Sequence, residues 1–362
     1  MANQTTTPES SDLRTYPDRH ESTPPDNGTP LPLTPPATDE RFSWRLGASN
    51  VDKVMRMFEA CRDQGAAPAS LTKFCLPLQQ YDELVKRLQD DQSLGRYVED
   101  KVRFDYEPEP GLLIVRMPSP VHEFFTASVE DEMYNQLTRV GEFAAKIAKG
   151  RSSRIFLKEG ISGESSEVLH TVRREPDGQF QHHWPAYPGV VLEVSYSQDR
   201  KDLRKLASDY ILGSNGDIKA VIGLDVNYNG KQSTVSLWRP NYFEEDGEEI
   251  LEVRQEIVNK PFRASDGSPV NHTECLTLSL SDFATDEISS GDEPVSLSIQ
   301  FGRLADFLAQ AEQIHQAREP DNRQGVKSSR RPKKRRLPSS PAEELRSEDE
   351  AEYRRRGIPT RL

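Results

Sequence analysis

Cysteine is scarce and scattered: Cys61, Cys75 and Cys275 are the only three in 362 residues, an odd number with no Cys-X-X-Cys pair among them. A disulfide framework or a cysteine-based zinc site therefore has nothing to build on. Free thiols fit a reducing compartment. Long apolar runs are also missing. No window approaches the ~20 residues that cross a bilayer, and the N-terminus carries no apolar signal-peptide core. The sequence reads as soluble and intracellular, with no membrane partner. A basic balance is lacking too, with 47 Lys and Arg against 59 Asp and Glu for a formal net charge of -12. That argues against wholesale nucleic-acid binding through a uniformly cationic surface.

Large apolar side chains are almost absent from residues 1–41, which are rich in Thr, Pro, Ser and Asp, and from the charged residues 318–362. Such segments cannot bury enough surface to offset the entropy of ordering them. Both ends are expected to be disordered. The C-terminal end holds a dense basic run, Arg330, Arg331, Lys333, Lys334, Arg335 and Arg336, followed by Glu343, Glu344, Glu348, Asp349 and Glu350. Exposed cations at this density read as a nuclear localisation signal, which makes a nuclear import receptor the expected partner and the nucleus the expected location. A solvated tail or a phosphate-binding arm is the plainer alternative.

What remains is long enough for one sizeable core with elaborations. Val51, Met55 and Phe58, then Leu78, Tyr81, Leu84, Val85 and Leu88, recur at helical spacing, so residues 42–109 are expected to form a helical preface. Residues 110–240 alternate strand and helix patterns. Leu112-Leu-Ile-Val-Arg-Met117 is a buried strand, and Phe125, Val129, Met133, Leu137 and Val140 stripe a helix. Arg154-Ile-Phe-Leu157 and Gly189-Val-Val-Leu-Glu-Val194 are further strands. Leu203, Leu206, Ala207, Tyr210 and Ile211 mark a helix ended by Gly213 and Gly216. Residues 220–226, an Asn229-Gly230 turn and residues 234–238 complete a hairpin. This order predicts an α/β fold, a mixed sheet flanked by helices, with a β-rich C-terminal extension over 241–317.

One constellation carries chemistry. Pro176-Asp177 precedes a strand in which Glu193 sits among aliphatic residues, and the next helix brings Lys201 and Lys205. A carboxylate inside a buried strand is costly unless compensated. A divalent metal, Mg2+ or Mn2+, held by Asp177 and Glu193 would compensate it, and would activate water for attack on a phosphodiester with a lysine in support. The plainer alternatives are a Pro-Asp-Gly turn for Asp177 and an ion pair of Glu193 with Lys205 or Arg204. Glu123, Glu130, Asp131 and Glu132 on the first core helix are each candidates to join the site, with a solvated helix face as the alternative. His122 reads as a helix-start residue, and His182-His183 as a loop without a third ligand.

The segment resembles the PD-(D/E)XK nuclease superfamily, in particular the Uma2-type branch and related fungal nuclease-like proteins. The residues that carry the resemblance are Met117-Pro-Ser-Pro-Val-His122, Pro176-Asp177, Pro188-Gly-Val-Val-Leu-Glu193-Val-Ser-Tyr-Ser197, Val221-Ile-Gly-Leu-Asp225, Trp238-Arg239-Pro240 and Pro261-Phe-Arg-Ala-Ser-Asp-Gly267. It covers roughly residues 110–280. It implies a restriction-endonuclease-like fold, cleavage of DNA with Mg2+ or Mn2+, and Asp177, Glu193 and Lys205 as catalytic residues. The superfamily's simplest form has lysine two residues after the glutamate, where this chain has Ser195. In the Uma2-type register, anchored on Tyr210, the helix lysine falls at Leu206, one residue from Lys205. That offset turns a side chain by about 100°. A catalytically inactive interaction or DNA-binding module of the same fold is the competing expectation.

Overall fold

The computed structural model describes residues 49–64, 71–116, 118–159, 170–196, 202–227, 232–289, 295–318, 328–333 and 335. The expected disordered ends (except residues 318, 328–333 and 335), the Asn229-Gly230 turn and Lys201 lie outside the described residues.

Helix α1 (Asn50–Gln64) starts where Ser49 and Asp52 cap each other, backbone N–H to side chain, both at 3.1 Å. It buries Val51, Val54, Phe58 and Cys61 on one face. After β1 (Leu71–Cys75), α2 (Leu78–Asp90) leads into α3 (Gln92–Lys101), whose cap Asp91 accepts from the Leu94 N–H at 3.0 Å. Strands β2 (Arg103–Glu107) and β3 (Leu112–Arg116) then form a hairpin. Gly111 turns it at φ 72°, with the Pro77 Cα only 3.0 Å from where a β-carbon would sit.

Ser119 and Pro120 open α4 (Pro120–Leu137), with the Ser119 hydroxyl accepting from the His122 N–H. A short α5 (Gly141–Ala144) and β4 (Ile147–Lys149) follow, then β5 (Ile155–Glu159), β6 (His170–Arg174), β7 (Gly178–His182) and β8 (Val190–Tyr196). Helix α6 (Leu203–Gly213), capped by Asp202, carries the chain to β9 (Ala220–Val226). Long strands β10 (Ser233–Glu245) and β11 (Glu248–Arg263) form a hairpin. Then come β12 (Cys275–Ser279), a 3-10 turn over Leu280–Phe283, α7 (Asp286–Ser289), β13 (Ser296–Gln300) and α8 (Phe301–Arg318).

The described strands form a five-stranded sheet in the order β1-β3-β2-β6-β5, a six-stranded sheet in the order β11-β10-β9-β8-β7-β4, and the pair β12-β13. Every pairing is antiparallel except β8 with β9, the two strands joined by α6. The α/β expectation with a mixed sheet therefore holds, with three differences. The preface is not wholly helical, because it also supplies β1 and β2. Residues 112–116 do not join the mixed sheet; β3 lies between β1 and β2 in a separate antiparallel sheet. Nor does the core stop at Pro240, since β10 runs through it to Glu245. Pairing with β9 ends at Trp238, so a residue without an N–H has an open side there.

Side-chain parity on the central strands decides what each face meets. Val190, Leu192 and Val194 on β8, with Ala220, Ile222, Leu224 and Val226 on β9, face a core shared with α4, β12, β13 and α8. Val191 and Val221 face the other way, onto α6 and residues of β5 and β6. A third cluster packs α1, α2 and α3 on β2 and β3. Among the described residues no helix is long and apolar enough to cross a membrane.

Candidate functional site

The chain leaves the five-stranded sheet and enters the six-stranded one across Glu175-Pro176-Asp177, between β6 and β7. Buried charge is concentrated at this crossing. Asp177 continues the pairing with β8: its N–H donates to the Leu192 carbonyl at 3.1 Å, and its Oδ2 accepts from the Val194 N–H at 2.7 Å. That holds the carboxylate beside Glu193, which is 1% exposed and shares its face of β8 with Val191 and Ser195.

The two acids singled out from the sequence do converge, and they converge on an arginine. The Nη1 of Arg116, on β3, lies 3.3 Å from Asp177 Oδ1 and 3.9 Å from Glu193 Oε2. Its Nη2 reaches Asp105 Oδ1 at 3.0 Å and donates to the Glu175 carbonyl. Burial alone would lower the Arg116 pKa, but the charges of Asp105, Asp177 and Glu193 outweigh it and hold the guanidinium protonated. The remaining oxygens are engaged as well. His122 Nε2 lies 3.2 Å from Asp177 Oδ2, and the Tyr210 hydroxyl donates to Glu193 Oε1 at 2.7 Å. Burial, then the Glu193 charge, push the Tyr210 pKa well above its ordinary value, which keeps that hydroxyl a donor.

Lys205 is placed elsewhere. Its ammonium pairs with Asp209 at 2.9 Å and Glu107 at 3.1 Å, half exposed on the outer side of α6. The one-residue offset from Leu206 has this outcome: Tyr210 faces Glu193 and Lys205 faces the five-stranded sheet. Partial burial would lower its pKa, but Asp209 and Glu107 raise it, so it is a poor proton acceptor at neutral pH. Arg174, on β6, joins the same cluster through Glu107 at 3.0 Å and through Asp209.

The four acids of α4 separate cleanly. Glu123 pairs with Arg103 at 3.1 Å, Asp131 with Lys149 at 2.6 Å and Glu132 with Arg303 at 3.5 Å, all at the surface. Only Glu130 turns inward, 2% exposed, its carboxyl packed against Gly178 beside Asp177. Burial pushes its pKa up to about 7 from an ordinary 4.5, against the pull of Arg151 and Lys149. Between those values the folded chain holds a proton that the unfolded chain has lost, so stability falls as pH rises through the window. Glu130→Gln is expected to remove that loss and to stabilise the fold above the window by about 3 kcal/mol. Urea midpoints of both proteins at about pH 5 and about pH 8 check it: the gap must widen at the higher pH. An equal gap at both would show that Glu130 keeps an ordinary pKa.

Sequence reasoning missed Arg116, Asp105 and Glu175. A signal was present, because Leu-Leu-Ile-Val-Arg is the cationic counterpart of Val-Val-Leu-Glu-Val: each is a buried strand with one charge that needs a partner.

A divalent ion would need the oxygens of Asp177 and Glu193 turned toward a common point. Here that point is faced by a guanidinium already ion-paired with both, and the donor set does not fit a metal while Arg116 is in place. Among the described residues no three His, Cys, Asp or Glu side chains are grouped to hold an ion. The basic run is exposed wherever it is described, at Arg330, Arg331, Lys333 and Arg335. No family model matches this chain, and no curated protein matches it either.

Proposed function

We propose that this chain is a nuclease-fold module that does not cleave, in which a built-in arginine has taken the place of the catalytic cation, and that it acts as an interaction or DNA-binding module in the nucleus. The observation that carries the reading is Arg116 Nη1 between the carboxylates of Asp177 and Glu193. A guanidinium fixed there neutralises the acids without activating water, since it has no exchangeable coordination position for one. The succession α4, β4, β7, β8, α6, β9, with the spatial order β4-β7-β8-β9 and a parallel final pair, supports the restriction-endonuclease-like part of the reading. The exposed basic residues support nuclear import.

The convergence of Asp177 and Glu193 itself favours the second reading, a metal-dependent nuclease in which Arg116 gives way when Mg2+ or Mn2+ and DNA bind. One experiment separates the two. Purified full-length protein is titrated with Mg2+ and Mn2+ by calorimetry and incubated with supercoiled plasmid. No stoichiometric ion binding and no nicking are expected. Nicking that Glu193→Ala abolishes would overturn the proposal in favour of the nuclease.

A further inference from the structure

A second recess lies on the far side of the five-stranded sheet, where α2 and α3 stand off from β2, β6 and β5. It encloses about 620 Å³, within the ~300–1,000 Å³ usual for small-molecule sites. Its walls are of two kinds. Val85, Leu88 and Val98 from the helices, with Phe104 and Phe156 from the sheet, give it apolar surface. Charged side chains supply the rest: Arg154 and Arg173 on the sheet side, and Asp82, Arg96 and Glu99 on the helices.

The aromatic and cationic parts are arranged together. The Arg173 guanidinium stacks on the Phe104 ring with its carbon 3.5 Å from the centroid, extending a flat face into the wall. Phe156 is 53% exposed, a large ring left in solvent beside the recess. An exposed aromatic next to stacked guanidinium is what a planar ring uses to lie down.

Arg154 and Arg173 both reach a single oxygen, Oε1 of Glu175, at 3.4 Å and 2.5 Å. Arg154 also meets Glu99 at 3.3 Å. Arg173 is 8% exposed, yet its Nε has no hydrogen-bond partner among the described residues. Burial lowers the Arg173 pKa, and the like charge of Arg154 adds to that against the pull of Glu175. An anion bound beside the two guanidinium groups would relieve the repulsion between them.

We propose that this recess binds a small planar aromatic anion of the nucleoside monophosphate class, with the ring against Phe156 and the phosphate on Arg154 and Arg173. The proposal shares only Glu175 with the Asp177–Glu193 site, through its side chain rather than its carbonyl, and stands whether or not the nuclease-fold reading holds.

The test is calorimetry of the full chain with AMP, GMP, CMP and UMP, and with adenosine and inorganic phosphate as half-ligands. One nucleotide per chain is expected to bind saturably, with each half-ligand weaker. Phe156→Ala and Arg154→Gln should each weaken nucleotide binding roughly tenfold or more. Phe156 is exposed and Arg154 lies at the edge of the sheet, so both variants should fold, as circular dichroism would verify. No saturable binding of any nucleotide by the wild type would overturn the proposal. So would binding that neither variant weakens, or phosphate binding as tightly as the nucleotides with no effect of Phe156→Ala.

Discussion

A chain ended after Pro240 is expected to be insoluble or unfolded, although the sequence pattern sets a domain boundary there. Residues beyond it supply Leu276, Leu278, Phe283, Ile299, Phe301, Leu304 and Leu308 to the core on the α4 face of the mixed sheet, each at most 3% exposed. Burying one such side chain contributes about 1.5–3 kcal/mol. Losing all seven forfeits about 10–20 kcal/mol, as much as the whole roughly 5–15 kcal/mol by which a domain is stable. The cut would also strip β11 from β10 and remove the backbone of Asp282 and Phe283, against which Gly189 packs so closely that a β-carbon would sit 2.3 Å from it. Expression of the truncated chain, followed by size exclusion and urea unfolding, checks this. A monomeric fragment with a cooperative transition would show that the segment after Pro240 is dispensable.

Replacing Arg116 is expected to have the largest effect of any single substitution. Arg116→Met keeps an unbranched apolar stem and removes the charge, leaving Asp105, Asp177 and Glu193 buried together without their shared cation. Breaking a buried ionic group in this way costs roughly 3–5 kcal/mol. The loss has a defined pH dependence. Without the guanidinium, the buried carboxylates repel one another when ionised, and protonation relieves that repulsion. The variant is therefore closest to the wild type in acid, where the carboxylates are protonated, and falls furthest below it at neutral pH, where they are charged. Urea midpoints of wild type and variant at about pH 4 and about pH 7.5 would measure it. A variant as stable as the wild type at neutral pH would mean that Arg116 does not hold the acids.

The same position offers the sharpest check on the functional reading. In Arg116→Ala the guanidinium is gone and the acids remain, so Mn2+ or Mg2+ should raise the melting temperature of the variant and leave the wild type unchanged, the stabilisation growing with ion concentration by mass action. An equal rise in both would show that the ion binds with Arg116 present.

How much of this was legible in the sequence follows from the range of each interaction. Helices α1, α2, α4 and α6 were readable because helical periodicity is a local property: Leu203, Leu206, Ala207, Tyr210 and Ile211 fall on one face wherever the helix is placed. Strands β8 and β9 were readable from their aliphatic runs, and parity along them fixed that Glu193 turns from the Leu192 and Val194 side. The meeting of Asp177 with Glu193 was also foreseeable, since residues 177–193 form two adjacent strands joined by a short loop.

Three things were decided only by tertiary structure. The apolar run at residues 112–116 fits any buried strand, and its sheet depended on pairing with β1 and β2. The end of the core was masked by Pro240, whose missing N–H is harmless once β9 has ended. The cation facing Glu193 came from β3, 77 positions earlier in the chain, and not from the neighbouring helix. A sequence states that a buried charge needs a partner, because desolvation sets that cost locally. Which opposite charge supplies it depends on how the two sheets are brought face to face, and only the folded chain determines that.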